Sequence, residues 1–312
     1  ADGSIAEWRH EVWSNTHSSR PGASGGVNLL AAWHLAKSHN PAPQRPIPQP
    51  AGGADRNEVP LYDFPNRRII RHLVNEMPLR TSALRSLGAY ANVFALESFL
   101  DELAVATGAD PVELRLRYLK DPRARDVIEL AASKASWGKG FKGDGESGRG
   151  FGFAKYKNLS CYTACVADVT VDRKTGEIVV SRVVAAADAG QIINPKGLEM
   201  QIAGGIVQSV SWTLMEALRF DRTRVTSLDW FSYPILRFPH VPEVEVHLID
   251  RPEEKALGAG EASQGPTVAA VANAVSNALG RRVRDLPLTP DRILSIQSVA
   301  ESGSTRSQRG MV

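Results

Sequence analysis

The feature that most restricts the fold lies in the last quarter of the 312-residue chain, where Gly258-Ala259-Gly260-Glu261 runs into Pro266-Thr267-Val268-Ala269. Residues Thr267 to Leu279 form a run of small residues that reads as a helix stopped by Gly280. Glycines in the turn let backbone come close to a bulky cofactor, and the helix start offers free N–H groups to anionic oxygens. Glu261 is then held beside whatever binds there. On residue chemistry alone it is a candidate general base at a cofactor-binding turn, against the plainer alternatives of a solvated loop acid or a helix N-cap partner.

Composition narrows the classes. An apolar content of 43% supports a core for one large or two medium domains. No apolar run reaches about eighteen residues, which excludes a transmembrane helix. The polar start, Ala1 to Trp8, lacks the layout of a signal peptide, so the expected compartment is the cytoplasm, or the periplasm by export with a partner. With 37 basic and 34 acidic residues and scattered arginines, there is no nucleic-acid footprint. Cys161 and Cys165 fall on one face of an expected strand; two thiols cannot hold an iron–sulfur cluster, which needs four ligands, and they read as small core residues. The seven histidines show no zinc-binding spacing, and no metal ligand is assigned within the chain.

Residues 1–60 are expected to be an extended N-terminal segment ending in an exposed connector, with five prolines between Pro41 and Pro50 followed by Gly52-Gly53. Residues 61–147 read as mainly helical. A helix over 92–107, capped by Asn92, has Phe94, Leu96, Phe99, Leu100 and Leu103 on its buried side. A second starts at Asp110-Pro111-Val112-Glu113 and ends near Lys120-Asp121-Pro122. A third runs from Arg123 to Ser136, before a loose glycine-rich stretch over 138–150.

Residues 148–300 read as α/β. Ala164, Val166, Val169 and Val171, then Ile178, Val180, Val183 and Ala185, alternate like paired strands around Asp172-Arg173-Lys174-Thr175-Gly176. A helix over 197–219 is expected to break at Gly204-Gly205, and Val241 to Ile249 alternates as a strand. Gly148-Arg149-Gly150-Phe151-Gly152 lacks the lysine and hydroxyl of a phosphate loop and reads as a turn into a strand. Asp188 and Asn194, flanking Gly190, read as caps or turn bonds. Residues 301–312 are polar and expected to be disordered. The mixture points to an α+β fold, mixed sheets with packed helices, and not to a doubly wound dinucleotide fold.

Three blocks, in order, carry a resemblance: Leu84-Arg85-Ser86-Leu87-Gly88 with the helix behind it, Tyr162 to Leu218, and the segment LGAGEASQGPTVAAVANAVSNALGRRVRDLPLTP. Together they resemble the molybdopterin-binding region of the molybdenum hydroxylases, the xanthine dehydrogenase and aldehyde oxidoreductase superfamily. Within it, the likeness is to the C-terminal half of large subunits of the isoquinoline 1-oxidoreductase and nicotinate dehydrogenase kind. The resemblance implies that Glu261 is the active-site base, with Arg85, Gly88, Gln201, Gly205, Gly258 and Gly260 as cofactor-binding positions. Alternatives stay open for some of these. Arg85 could be a surface residue paired with Glu97, and the glycines of the Gln201, Gly204, Gly205, Gln208 block could serve helix packing. Leu87 stands where several relatives have an aromatic residue that stacks on a ring substrate, which weakens a purine-like substrate.

The implied cofactor is molybdenum–molybdopterin, in its cytosine dinucleotide form, and the implied reaction is hydroxylation of an N-heteroaromatic small molecule with water as oxygen source. Aldehyde oxidation by the same site is the alternative, and a non-catalytic structural half is the alternative of another class. The family's large subunits are more than twice this length, and a glycine-rich loop and a glutamine loop of their first half have no counterpart here. The expectation is a split subunit or a fragment that completes its site with a complementary molybdopterin-binding chain. The other implied partners are a [2Fe-2S] subunit carrying the iron–sulfur clusters and a flavin or cytochrome subunit.

Overall fold

The computed structural model describes residues 3–17, 31, 35–37, 45–79, 81–138 and 143–297; Pro41 and Pro43 of the expected connector and the tail 301–312 lie outside them. Strands β1 (Trp8–Ser14) and β2 (Arg67–Leu73) pair in parallel. Three helices follow, α1 (Ala89–Thr107), α2 (Pro111–Arg117) and α3 (Pro122–Lys134). Then come β3 (Ser147–Lys155), β4 (Tyr162–Val171), β5 (Ile178–Asp188), α4 (Pro195–Leu214), β6 (Glu243–Ile249) and α5 (Gln264–Leu279). The main sheet has the order β3-β4-β5-β6, antiparallel except for the parallel pair β5–β6. This is the α+β class expected.

Both faces of the sheet are covered. Val127, Ile128 and Ala131 of α3 and Leu96 and Leu100 of α1 share one core with Phe151, Phe153, Ala164, Val166 and Val184. Ile202, Ile206 and Val210 of α4 and the small side chains of α5 share the other with Cys165, Ala167, Val169, Val183 and Ala185. The alternation of β4 and β5 sends successive residues into opposite cores, so these strands are buried along most of their length. Cys161 joins Cys165 in the second core.

The contact between β3 and α5 is backbone against backbone. A Cβ at Gly148 would lie 2.0 Å from the Ala274 carbonyl oxygen, one at Gly150 2.2 Å from that of Ala270, and one at Gly152 2.3 Å from that of Pro266. Every second residue of the strand meets every fourth residue of the helix, because two strand residues and one helical turn advance by similar lengths, roughly 6 Å. The glycines therefore form the strand itself and not the turn into it that their clustering suggests. The loose stretch over 138–150 likewise gives way to strand from Ser147.

Other local expectations shift for identifiable reasons. Asn92 lies inside α1, whose N-cap is Gly88; its amide donates to the carbonyls of Ala54 (2.9 Å) and Arg56 (2.8 Å) and so anchors the preceding segment. Ala54, Asp55, Asn57 and Glu58 are buried, so this part of the expected connector belongs to the fold. Helices α1 to α3 share a core with the sheet. Helix α4 runs unbroken through Gly204-Gly205. Asp110 caps α2 with proline in the first turn, as the sequence indicates, and Asp121-Pro122, read there as the end of the second helix, is the capped start of α3. Asn194 caps α4, accepting from the Gly197 N–H. Asp188 accepts from Gly190 N–H but is also fully buried between Arg123 and Arg251.

Two glycine substitutions should separate packing from propensity. Gly150→Ala forces a methyl into the α5 backbone and should cost about 3 kcal/mol. Gly204→Ala, exposed in α4 with nothing within 4 Å of its Cβ, should stabilise by about 0.5–1 kcal/mol. Urea unfolding of the two variants measures both.

Candidate active site

Helix α5 is buried on nearly all sides, and so it fixes the turn that precedes it. Ser263 receives no helix-capping role; its hydroxyl donates to the Ile202 carbonyl (3.0 Å) and fills the notch left by Gly205, where a Cβ would lie 2.1 Å from that oxygen. Gly205 thus serves the docking of α4 against the turn. Glu261 lies two residues earlier, its side chain 31% exposed.

Three donors from distant segments converge on that carboxylate. Oε1 accepts from the Ser86 backbone N–H at 2.9 Å. Oε2 accepts from the Tyr156 hydroxyl at 2.5 Å and from Arg56 Nη1 at 3.3 Å. Arg56 also donates to the Tyr156 hydroxyl, which leaves the phenol proton directed at Glu261. Burial pushes the phenol's pKa up, as does its bond to Glu261, so Tyr156 stays a donor at neutral pH. For Glu261, burial opposes ionisation and is the largest single influence. The Tyr156 hydroxyl, the Ser86 N–H and the charges of Arg56 and Lys157 together outweigh it and hold the carboxyl below its ordinary value of 4.5. Glu261 is a carboxylate at neutral pH.

The loop that supplies the Ser86 N–H is held under strain. Ser86 (φ 77°) and Leu87 (φ 49°) are consecutive left-handed residues with side chains, a conformation costing about 1–3 kcal/mol each. Gly88 closes the loop by lying against the 53–54 backbone; its N–H donates to the Gly53 carbonyl (3.1 Å), and a Cβ would sit 2.2 Å from that of Ala54. Arg85 does not pair with Glu97. Its Nε donates to the Gly260 carbonyl (2.7 Å), Nη2 to the Gln201 carbonyl (3.2 Å) and Nη1 to the Gln208 side chain (3.3 Å). Gln201 Nε2 donates to the same Gly260 carbonyl at 3.1 Å. Glu97 instead is buried against Arg115, Tyr62 and the Phe153 N–H in the core between α1, α2 and β3.

Arg85, Gly88, Gln201, Gly205, Gly260 and Glu261 therefore meet in one place. Gly258 stands at the open edge of the same turn, where its carbonyl accepts from the Cys161 N–H. Its Cβ would meet nothing within 4 Å, and that of Gly260 only Gln201 Nε2 at 3.8 Å; neither residue has a positive φ. Nothing in the protein's own packing requires glycine at these two positions. The buried Ser86 hydroxyl finds no partner among the described residues. An uncovered glycine turn, an unsatisfied hydroxyl and the guanidinium of Arg85 fit an anionic cofactor laid against this surface.

The family described as molybdopterin cofactor-binding domain matches residues 82–242. A nicotinate dehydrogenase subunit of Pseudomonas putida is 42% identical over 298 residues, covering 86% of this chain and 25% of that protein. The chain belongs to the molybdenum hydroxylases. The beta subunit of isoquinoline 1-oxidoreductase from Brevundimonas diminuta is 30% identical over 78% of this chain and 30% of its own length. The crystal structure of quinoline 2-oxidoreductase from Pseudomonas putida 86 has the same fold, with a TM-score of 0.65 at 15% identity over 78% of this chain and 56% of that one. The chain spans between a quarter and a third of the length of these curated relatives of the molybdenum hydroxylases.

Arg56, Tyr156 and the Ser86 N–H escape a reading of sequence alone, since they reach Glu261 from 105 to 205 residues away. No local motif marks the first two. Because the folded pKa of Glu261 is lowered, the stabilisation it confers is complete above the ordinary glutamate value and is lost as pH falls through the folded one. The melting-temperature difference between wild type and Glu261→Gln should stay constant above about pH 6 and shrink below about pH 4.5. Thermal scans of both proteins across that range check it.

Proposed function

We propose that this chain is the Glu261-bearing portion of a molybdopterin-binding catalytic subunit that hydroxylates an N-heteroaromatic substrate with water as the oxygen source. The observation that carries this reading is the carboxylate of Glu261, kept ionised by three donors beside an open glycine turn. Two relatives named for N-heteroaromatic compounds, nicotinate dehydrogenase and isoquinoline 1-oxidoreductase, support the substrate class.

When bound, the molybdenum–molybdopterin group would supply the two-electron acceptor and acidify the attacking water. Arg85, Gln201 and the Gly258–Gly260 turn would hold it, in the cytosine dinucleotide form. Glu261 acts as the base at Oε1. That oxygen has one donor, the Ser86 N–H, and keeps a lone pair free, whereas Oε2 is occupied by Tyr156 and Arg56. The two donors on Oε2 fix the carboxylate's direction, so that Oε1 faces the proton it must take.

The partners belong to the same proposal: a complementary molybdopterin-binding polypeptide, a [2Fe-2S] subunit that receives the electrons, and a flavin or cytochrome subunit that takes them onward. Burial of this chain against further polypeptide is supported by the segment between α4 and β6, where Trp230, Phe231 and Phe238 are 66%, 90% and 97% exposed.

Glu261→Gln tests the assignment. In assembled complexes of equal molybdenum content, turnover should fall by roughly three powers of ten, the scale of a positioned general base with part of its positioning lost as well. A fully metallated variant within a few-fold of the parent rate would return Glu261 to a loop acid. A dye-linked screen of N-heterocycles against aldehydes separates the proposed reaction from aldehyde oxidation.

A further inference from the structure

Next to Tyr156 stands Lys157, a cation whose charge helps to keep Glu261 ionised but which makes no hydrogen bond to it. Lys157 (φ 58°) and Asn158 (φ 56°) are consecutive left-handed residues, and the turn they make is pinned on both sides. The Lys157 N–H donates to Asn57 Oδ1 (2.9 Å), Asn57 Nδ2 to the Lys155 carbonyl (2.8 Å), and Asn158 Nδ2 to the Val59 carbonyl (2.9 Å). This strained, bolted turn delivers the Lys157 ammonium to 5.3 Å from the centre of the Tyr156 ring, the ring whose hydroxyl binds Glu261. The Arg56 guanidinium lies 5.7 Å from the same centre.

Two cations thus share one partly exposed carboxylate. Arg56 takes its hydrogen bond, while the Lys157 ammonium makes no hydrogen bond or ion pair among the described residues. Burial and the Arg56 charge both press Lys157 towards its neutral form, with only Glu261 opposing them. A half-buried cation that has an aromatic face beside it but no hydrogen bond or ion pair is relieved by an incoming anion. The anionic cofactor would be held by Arg85 and Gln201, which meet at the Gly260 carbonyl. Lys157 faces Glu261 from the Tyr156 flank.

We propose that Lys157 binds a carboxylate of the substrate, so that the ring presented to Glu261 belongs to an N-heteroaromatic acid and not to a neutral heterocycle. This rests on the N-heteroaromatic reading above. A carboxylate on Lys157 would anchor the ring at a fixed distance from Oε1 and so select which ring carbon is hydroxylated.

The test uses the assembled enzyme and a panel of pyridine and quinoline monocarboxylates, each beside its carboxamide. Steady-state kinetics and equilibrium dialysis are measured for wild type, Lys157→Met and Lys157→Arg, with molybdenum content determined for each. The wild type should favour at least one acid over its amide. Lys157→Met should raise the KM and the dialysis Kd of that acid about tenfold more than those of the amide, the loss of one charge-assisted contact. Lys157→Arg, which keeps the charge, should restore most of the preference. A change in the acid-to-amide ratio of less than twofold overturns the inference. So does a fall in molybdenum content that Lys157→Arg repairs, since the ammonium would then serve the cofactor. A wild type that hydroxylates amides as readily as acids removes this inference alone, whereas one that oxidises aldehydes and no heterocycle removes the N-heteroaromatic reading with it.

Discussion

The close approach of strand β3 to helix α5 is the constraint on which the rest of this structure depends. Glycines at 148, 150 and 152 bring the strand backbone onto the helix backbone, and the helix in turn is built of Ala, Val, Ser and Asn. A helix buried on nearly every side must be apolar or self-satisfied. Here two amides face the strand: Asn273 donates to the Phe151 and Glu97 carbonyls and ties helix, strand and α1 together, and Asn277 accepts from the Arg149 N–H. Large side chains on either element would move the helix outward by ångströms. The turn that carries Glu261 would move with it.

From that fixed turn the electrostatics follow. Glu261 sits where burial alone would favour its neutral form, and a neutral acid cannot serve as a base. The Tyr156 hydroxyl, the Ser86 N–H and the nearby cations reverse this balance. Such donors make a carboxylate ionised but also weakly basic, a real tension for catalysis. The division of labour between the two oxygens answers it in part: the strong donors lie on Oε2, and Oε1 keeps its free lone pair. The strained Ser86–Leu87 backbone is the local cost of aiming an N–H at that group.

Much of this was legible in the sequence where the signal is local. The aspartate-proline start of α2, the hairpin around Asp172 to Gly176 and the stop of α5 at Gly280 each depend on neighbours within a few residues. Glu261, Arg85 and Gln201 were legible by resemblance, and the structure brings them together. Non-local decisions were not legible. Gly148 to Gly152 looks like a turn until the helix against it is known, and Gly204-Gly205 looks like a break until Ser263 is seen to fill the notch at Gly205. Asn92 has the composition of a cap but is claimed by two carbonyls of the 54–56 segment. Arg56 lies at the end of a stretch that reads as connector, and only folding carries it to Glu261.

The central claim is that Glu261 is an ionised carboxylate whose free oxygen can take a proton at neutral pH. A carbon-13 NMR titration of the glutamate side-chain carboxyls measures this directly, with the Glu261→Gln spectrum used to assign the resonance. The account predicts a single titration step for Glu261 with its midpoint below the ordinary value of 4.5, moved upward when Tyr156 is replaced by Phe. A midpoint above about 6, with no response to Tyr156→Phe, would mean that burial wins and the residue is a neutral acid at rest, and would contradict the account.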